Sequence, residues 1–185
     1  MIEYIPVERD NPDVIWLNNT WGDISSILLD IIHRFNVPTD VALEFGVATG
    51  HSISTLACYF DRVIGIDTFR DDYSYIDHNR PSTLYNTLRL LKKYNNIQLI
   101  QSLFEDFIKE TIFDRYDLVH VDLIHSYDIT FACGEWSLQH SDCVLFHDTI
   151  SYPEVMRAVT DLSTKYDYEF YNYSEKYGLG ILIRK

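Results

Sequence analysis

The sequence predicts an α/β fold in which helices cover both faces of a mostly parallel β-sheet. Short apolar runs suited to buried strands alternate along the chain with amphipathic segments that have helical spacing. The first of these runs, residues 41–45, breaks into a Gly46-x-x-x-Gly50 turn and continues as an amphipathic segment. A strand, a glycine turn and a helix open the sheets that bind nucleotides, because glycines let the backbone approach a ligand.

The length of the chain indicates the number of domains, and its net charge indicates which partners are disfavoured. The chain has 185 residues, which favours one domain, 1–185, with a sizeable core. Within it we distinguish a helical lead-in, residues 1–38, from an α/β core, residues 39–185. The formal net charge of −13 disfavours a nucleic-acid partner, because an acidic surface repels phosphate backbones.

The apolar runs, the N-terminus and the cysteines indicate the cellular compartment of the protein. No apolar run has the length of a membrane span, and the acidic N-terminus lacks the basic region of a secretory signal. The three cysteines, Cys58, Cys133 and Cys143, are an odd number and include no CxxC pair. We therefore expect reduced structural thiols in a cytoplasmic protein.

A helical lead-in is predicted for residues 12–36, where Asn36-Val37-Pro38 ends the helix. Its apolar side chains share one wide stripe, which consists of Ile24, Ile27, Leu28, Ile31, Ile32 and Phe35. Trp16 and Trp21 precede this stripe and are either core anchors or part of a wall over a ligand.

The core elements follow in order. The predicted strands are residues 41–45, 62–67, 97–100, 116–122 and 143–148. The predicted helices are residues 51–60, 83–94, a helix capped by Ser102 with Glu105 in the capping box, a helix starting at Ser126, and residues 152–165. The tail alternates like an antiparallel hairpin of residues 168–173 and 179–183. The polar stretch 68–82 is either a functional lid or a solvated surface loop.

Polar side chains stand where the predicted strands end. Ligands of parallel sheets bind outside the carboxyl ends of the strands, at the point where the strand order reverses. The polar residues at those ends are Glu44, Asp67, Ser102, Asp122, His147 and Asp148. Packing alone does not explain this series, and we expect these side chains to converge on one rim.

The glycine turn distinguishes between two nucleotide-like ligands. Asp67 stands about one βαβ step after Gly46, where a carboxylate accepts hydrogen bonds from ribose hydroxyls. A dinucleotide needs a third glycine that this chain lacks, and Glu44 would repel its pyrophosphate. An aminoacyl nucleoside fits better, because Glu44 can pair with its ammonium and the amides near Thr49 and Ser52 can receive its carboxylate.

Four segments in this order resemble class I S-adenosylmethionine-dependent methyltransferases. They are residues 43–52, 63–67, 120–127 and 145–149, and the likeness spans roughly residues 40–165. The branch is that of small-molecule O-methyltransferases related to macrocin O-methyltransferase and cephalosporin hydroxylase-like proteins. The resemblance implies a Rossmann-like three-layer sandwich whose seven-stranded sheet has an antiparallel last strand, which agrees with the predicted C-terminal hairpin.

The resemblance also implies a cofactor site for S-adenosylmethionine. Glu44, Gly46, Ala48 and Gly50 would line the methionine end, and Ser52 would contact the carboxylate. Asp67 would bind the ribose. The residues expected around the adenine are Thr68, Phe69, Ser102, Leu103 and Phe104, and Asp122 would border the cofactor. For Ser102, a plain helix cap is an equal alternative.

The expected catalytic residues are Asp122, His125 and His147. Related metal-dependent enzymes carry acidic ligands at the positions of Asp122, His147 and Asp148, so these residues are the predicted ligands of a divalent metal such as Mg²⁺ or Mn²⁺. A histidine ligand makes Mg²⁺ doubtful and favours Mn, Fe or Zn. Alternatively, His125 or His147 acts directly as the general base. We expect His120 to point to the opposite face of the sheet and to be structural.

The leading functional hypothesis is O-methylation of a small hydroxylated molecule, with metal assistance as an option. The alternative is a non-catalytic S-adenosylmethionine-binding or regulatory protein that keeps the fold. A dinucleotide oxidoreductase is disfavoured by the missing third glycine. The expected partners are a small-molecule hydroxyl acceptor and, in a homodimer, a second copy of the chain.

Overall fold

A computed structural model describes residues 1–15, 24–70, 83–111 and 115–185 of the chain. The described strands are β1 (Ile2–Glu3), β2 (Val41–Phe45), β3 (Arg62–Asp67), β4 (Ile97–Gln101), β5 (Leu118–Val121), β6 (Cys143–His147), β7 (Tyr168–Tyr173) and β8 (Leu179–Arg184). The helices are a short 3₁₀ helix (Ile24–Ser26), α1 (Leu28–Phe35), α2 (His51–Leu56), α3 (Leu84–Leu90), α4 (Phe104–Glu110), α5 (Tyr127–His140) and α6 (Pro153–Tyr166). Among these helices, none has the length and apolar character needed to cross a membrane.

All described strands belong to one sheet in the order β1-β7-β8-β6-β5-β2-β3-β4. Only β8 runs antiparallel to its neighbours, β6 and β7, among these strands. The predicted α/β fold with a mostly parallel sheet and an antiparallel last strand is confirmed. The seven predicted strands correspond to β2–β8, and β1 adds an eighth because two N-terminal residues pair with the edge of β7.

The sheet has an apolar layer on each face, as the three-layer prediction requires. Along β2 the side chains alternate, so Ala42 packs with α1 and α2 while Leu43 and Phe45 pack with α4, α5 and α6. β2 lies between β3 and β5, and the chain builds outward in one direction from β3 to β4 and in the other from β5 to β6. The strand order therefore reverses at the carboxyl ends of β2 and β5, where a ligand is expected.

The lead-in differs from its prediction. A helix was expected over residues 12–36, but the described helical part starts at Ile24 and includes a 3₁₀ turn before α1. The segment 1–15 is not helical, because its backbone instead pairs with β7 and with side chains of α1. Trp16 and Trp21, and most of the predicted lid at 68–82, lie outside the described residues.

The predicted capping box before α4 is wrong. The N–H of Ser102 donates to the carbonyl of Asp67 at 3.0 Å, so the backbone at Ser102 still follows the sheet. α4 begins at Phe104 with Leu103 as its N-cap residue, and the Ser102 hydroxyl donates to the carbonyl of Leu103. Helices α2 and α3 are likewise shorter than predicted, because turns replace their last residues.

A buried carboxylate anchors the N-terminal segment. Asp30 of α1 is 4% exposed and accepts hydrogen bonds from the Tyr4 hydroxyl and from the N–H groups of Val7 (3.0 Å) and Glu8 (3.1 Å). Arg34, one helical turn later, adds an ion pair of 3.1 Å. Burial opposes ionisation of Asp30, but these contacts outweigh it and hold the pKa of the carboxyl below its usual range. Ionised Asp30 therefore stabilises the folded chain.

Replacing Asp30 by Asn should lower the free energy of unfolding at pH 7 by about 1–3 kcal/mol, because a charged hydrogen-bond acceptor is lost. The folded pKa is lowered, so the contribution is complete above the unfolded pKa of about 3.9 and is lost as the pH falls through the folded pKa. Urea unfolding at pH 7 and at pH 2–3 measures both effects. The exposed Asp61→Asn variant is the control, and a wild-type advantage that persists undiminished in acid would contradict the assignment.

Candidate functional site

The turn after β2 has a backbone that only small residues fit. Gly46 has φ +89° and Gly50, the N-cap residue of α2, has φ +98°. A Cβ atom on Gly46 would stand 1.8 Å from the backbone oxygen of Asp122, which follows β5. Glycine is therefore required for this close approach, and the turn lies directly against the end of the neighbouring strand.

Asp67 connects this turn to the end of β3. Its Oδ2 accepts a hydrogen bond from the N–H of Ala48 at 2.8 Å, and its Oδ1 accepts one from the N–H of Phe69 at 2.7 Å. Ala48 and Phe69 both have a φ of +48°, and Phe69 is buried. The hydroxyl of Thr87 donates to the carbonyl of Ala48 at 2.9 Å. The half-buried carboxylate of Asp67 thus holds two further residues that were predicted to bind the cofactor, Ala48 and Phe69.

The other residues predicted around the nucleoside border Asp67 or the turn. Thr68 follows Asp67 directly, and its carbonyl accepts a hydrogen bond from Gln101 at 2.8 Å. Ser102 bonds to the backbone of Asp67, and the next side chain, Leu103, is 48% exposed. Ser52 is half-buried in the first turn of α2. These positions are compatible with the predicted roles, which stay predictions.

Glu44 lies on β2 directly opposite His120 of β5. Both side chains have no exposed surface, and His120 Nδ1 is 2.7 Å from Glu44 Oε1. The expectation that His120 points away from the site is wrong, because residues two apart on a strand share a face and His120 therefore lies on the side of Asp122. Strand alternation, applied to residues 120 and 122, is the signal that identifies it.

A compact acid–histidine cluster follows β5 and β6. His125 Nε2 lies 2.7 Å from Asp148 Oδ2 and 3.6 Å from Asp122 Oδ1. His147 Nδ1 lies 3.1 Å from Asp148 Oδ2 and 3.8 Å from Asp122 Oδ1. Asp148 is buried in a left-handed turn with φ +66°, while the side chains of Asp122 and His125 are 28% exposed. The three predicted catalytic residues therefore stand together at one rim.

One triad with metal-ligand geometry contains His125 beside the two predicted carboxylates, and the predicted set with His147 stays a prediction. One ligand atom each from Asp122, His125 and Asp148 lies within 4.8 Å of the others. The short contact between His125 and Asp148 lacks hydrogen-bond geometry, and Asp148 Oδ1 has no hydrogen-bond partner in the described part of the chain. Two carboxylates and an imidazole that converge in this way form a donor set that can hold a cation once His125 has lost its proton. His147 is 4% exposed, and its Nδ1 also faces both carboxylates, from a buried strand.

The cluster shifts the ionisation of its members. Burial disfavours the charged carboxylates, but the surrounding histidines outweigh it and lower the pKa values of Asp122 and Asp148. Burial alone would also lower the pKa of His125, yet its contacts with Asp122 and Asp148 raise that pKa to about 9. At neutral pH a metal-free His125 therefore carries its proton.

Tyr152 is a member of the site that sequence reasoning missed. Its ring stacks on His125 with a centroid distance of 4.1 Å and an interplanar angle of 10°. Its N–H donates to the carbonyl of Asp148 at 3.0 Å, at the start of α6. The ring is held against the cluster while 40% of the residue remains exposed, so it forms one wall of the rim.

Comparisons with known proteins agree on the fold. The chain resembles the structure of the O-methyltransferase NovP, with a TM-score of 0.67 and 18% identity over 89% of this chain and 79% of that chain. It also resembles a protein assigned as a caffeoyl-CoA O-methyltransferase from Staphylococcus aureus (TM-score 0.66, 16% identity, 94% and 87% covered). No protein-family model and no curated protein sequence matches the chain.

The chain thus has the class I methyltransferase fold that the resemblance predicted. A ribosomal protein L11 methylase from Lactobacillus delbrueckii subsp. bulgaricus shares it too, with a TM-score of 0.55 and 15% identity over 83% of this chain and 74% of that chain. Because proteins named for different acceptors share this fold, the fold leaves the acceptor open. The side chains of the site, and not the fold, determine which acceptor is methylated.

The raised pKa of His125 leads to a direct test by NMR. In chelator-treated protein, long-range ¹H–¹⁵N spectra should show the His125 ring titrating with a midpoint near pH 9, and His125→Asn should remove that signal. The raised value means that His125 stabilises the fold fully below the unfolded pKa of about 6.5 and loses this effect as the pH rises through 9. In Asp148→Asn the midpoint should fall. A wild-type midpoint below 7 would contradict the described cluster.

Proposed function

We propose that the chain is an S-adenosylmethionine-dependent methyltransferase that methylates a hydroxyl group of a small molecule. One observation carries the proposal: the glycine turn, Asp67 and the acid–histidine cluster meet at one edge of the sheet. The contact between Gly46 and the carbonyl of Asp122 places a nucleoside-type turn beside a cluster suited to activating an acceptor. Solved O-methyltransferases with the same fold support the class.

The residues around the turn fit the cofactor. Glu44 Oε2 is buried and has no hydrogen-bond partner in the described part of the chain, so it can receive the ammonium group. Each oxygen of Asp67 accepts one backbone hydrogen bond and keeps a lone pair for a ribose hydroxyl. Leu103, which is 48% exposed, would supply apolar surface for an adenine. When bound, S-adenosylmethionine would supply an electrophilic methyl group.

The cluster fits a divalent cation. Asp122, His125 and Asp148 offer two carboxylates and one imidazole, a donor set that favours Mn, Fe or Zn over Mg. A bound cation would lower the pKa of an acceptor hydroxyl and orient the acceptor. His125 must release its proton before it can bind a metal, so cation binding should be linked to proton release.

Metal assistance is favoured over a histidine acting alone as the base. His125, with a pKa of about 9, already holds a proton at neutral pH and is not ready to accept another. His147 Nδ1 lies 3.1 Å from Asp148 Oδ2, so this nitrogen faces a carboxylate instead of an acceptor hydroxyl. The lowered pKa of Asp122 makes this carboxylate a weak base. None of these side chains is a good base at neutral pH. The acceptor hydroxyl would therefore lose its proton most easily if a bound cation lowered its pKa.

Cofactor binding tests the proposal first. Isothermal titration should show S-adenosylmethionine binding to the wild type and a loss of roughly tenfold or more in Asp67→Ala, equivalent to at least about 1.4 kcal/mol. Asp61→Ala is the matched control, because it removes an exposed carboxylate just before the other end of β3. Thermal melts check that each variant folds. Unchanged affinity in folded Asp67→Ala would refute the cofactor site.

The same proteins separate an enzyme from a non-catalytic binder. A screen of small hydroxylated molecules should yield S-adenosylhomocysteine with the wild type and none with Asp122→Ala. Binding without turnover across the whole screen would favour the regulatory alternative. The formal charge of −13 places neutral and cationic acceptors first in that screen, since phosphorylated molecules are repelled.

A Mn²⁺ titration tests the ligand assignment. His125→Ala and Asp148→Ala should each weaken Mn²⁺ binding by about tenfold or more, as expected for loss of a ligand or its support. His147→Ala should have the smaller effect if, as we propose, the cation takes its imidazole ligand from His125. Below pH 9, binding should strengthen as the pH rises, with release of about one proton from His125. A larger loss in His147→Ala than in His125→Ala would restore the set predicted from the sequence.

A further inference from the structure

We infer that His120 is a positioning residue that determines the affinity for the amino-acid end of the cofactor by orienting Glu44. This inference rests on the proposed function, since it assumes that Glu44 receives the ammonium group of a sulfonium nucleoside. Nothing in the predicted site assigns His120 such a role. It follows from the register of two neighbouring strands and from the environment of their side chains.

The pair occupies the centre of the sheet. Glu44 and His120 face each other across β2 and β5, and neither has exposed surface. A carboxylate buried without a partner would be strongly destabilising, so Glu44 depends on the 2.7 Å contact with His120 Nδ1. The imidazole is therefore the group that makes a buried carboxylate tolerable at this position.

The same contact directs the second oxygen of Glu44. With Oε1 bonded to His120, rotation of the carboxylate is restricted and Oε2 is held in one place. Oε2 has no hydrogen-bond partner within the described ranges, although it is buried. A buried, unpaired acceptor whose position is fixed is preorganised to bind a cation. Its desolvation and its loss of conformational freedom have already occurred during folding, so they do not oppose binding. Glu44 stands two residues before Gly46, where the cofactor turn begins.

His120 also approaches the acid–histidine cluster. It is two residues before Asp122, and its ring centroid lies 6.2 Å from that of His147 in an edge-to-face arrangement. A substitution at His120 could therefore act through the cluster instead of through Glu44. A useful test must separate an effect on the ammonium end from an effect on the cluster and from a general loss of stability.

Two ligands that differ only in their amino-acid end make that separation. S-adenosylhomocysteine carries the ammonium and carboxylate groups, whereas 5′-methylthioadenosine keeps the adenosine and thioether but lacks both. His120→Leu removes the donor and should weaken S-adenosylhomocysteine binding by about tenfold or more. It should change methylthioadenosine binding by less than about twofold, since Glu44 does not contact that part of the ligand.

The matched variant is His120→Asn, whose amide can place a donor near the position of Nδ1. It should restore S-adenosylhomocysteine affinity to within about threefold of the wild type. Glu44→Gln should weaken S-adenosylhomocysteine binding by itself and should abolish any further effect of His120→Leu, which is the signature of two residues that act as one unit. The double variant also removes the buried charge, so we expect it to be less destabilised than His120→Leu alone, and thermal melts check that each variant folds.

Controls separate the outcomes. Tyr4→Phe removes a buried hydrogen bond elsewhere and should lower stability without changing the ratio of the two affinities. Mn²⁺ binding should be unchanged in His120→Asn. If the wild type binds neither ligand, the proposed function fails. If it binds both and His120→Leu weakens them equally, or adds its full effect to Glu44→Gln, the positioning role is refuted while the proposed function stands.

Discussion

The contact between Gly46 and the backbone carbonyl of Asp122 is the constraint on which the site depends. A single Cβ atom at residue 46 would stand 1.8 Å from that oxygen, so no other residue allows the ends of β2 and β5 to come so close. This approach lies where the strand order reverses, and the two chain segments leave the sheet there in different directions. The turn that would hold a nucleoside and the cluster that would activate an acceptor consequently share one edge.

Charge balance is the second constraint on this edge. Three buried or half-buried carboxylates each have a histidine beside them. The members of this arrangement are Glu44, Asp122, Asp148, His120, His125 and His147. Histidine suits such a position because it can hold a carboxylate in place and, by losing its proton, leave room for a cation from outside. This pairing would let the site exchange a proton for a positively charged ligand.

Elements whose sequence patterns are local could be predicted from the sequence. Residues 41–45 and 62–67 were predicted with the bounds of β2 and β3, because short apolar runs ended by polar residues are typical of buried parallel strands. The prediction was wrong where hydrogen bonds to residues far along the chain determine the backbone conformation. β1 is too short to show a pattern and exists through its pairing with β7. The capping box failed because the backbone of Ser102 bonds to Asp67 and so delays the start of α4.

The site residues also divide into those that a local sequence pattern predicts and those that depend on the folded chain. Asp122 and Asp148 could be found at strand ends, since parallel strands end at a common edge, but the choice between His125 and His147 depends on the turn after β5. There the N–H of Ser126 donates to the carbonyl of Ile124, and the chain turns so that His125 points back to Asp148. Sequence spacing gives no measure of that turn. His125 comes from the connection after β5 and is 28% exposed, whereas His147 belongs to the buried strand β6, so the two histidines approach Asp148 from elements that the sequence pattern cannot relate to each other.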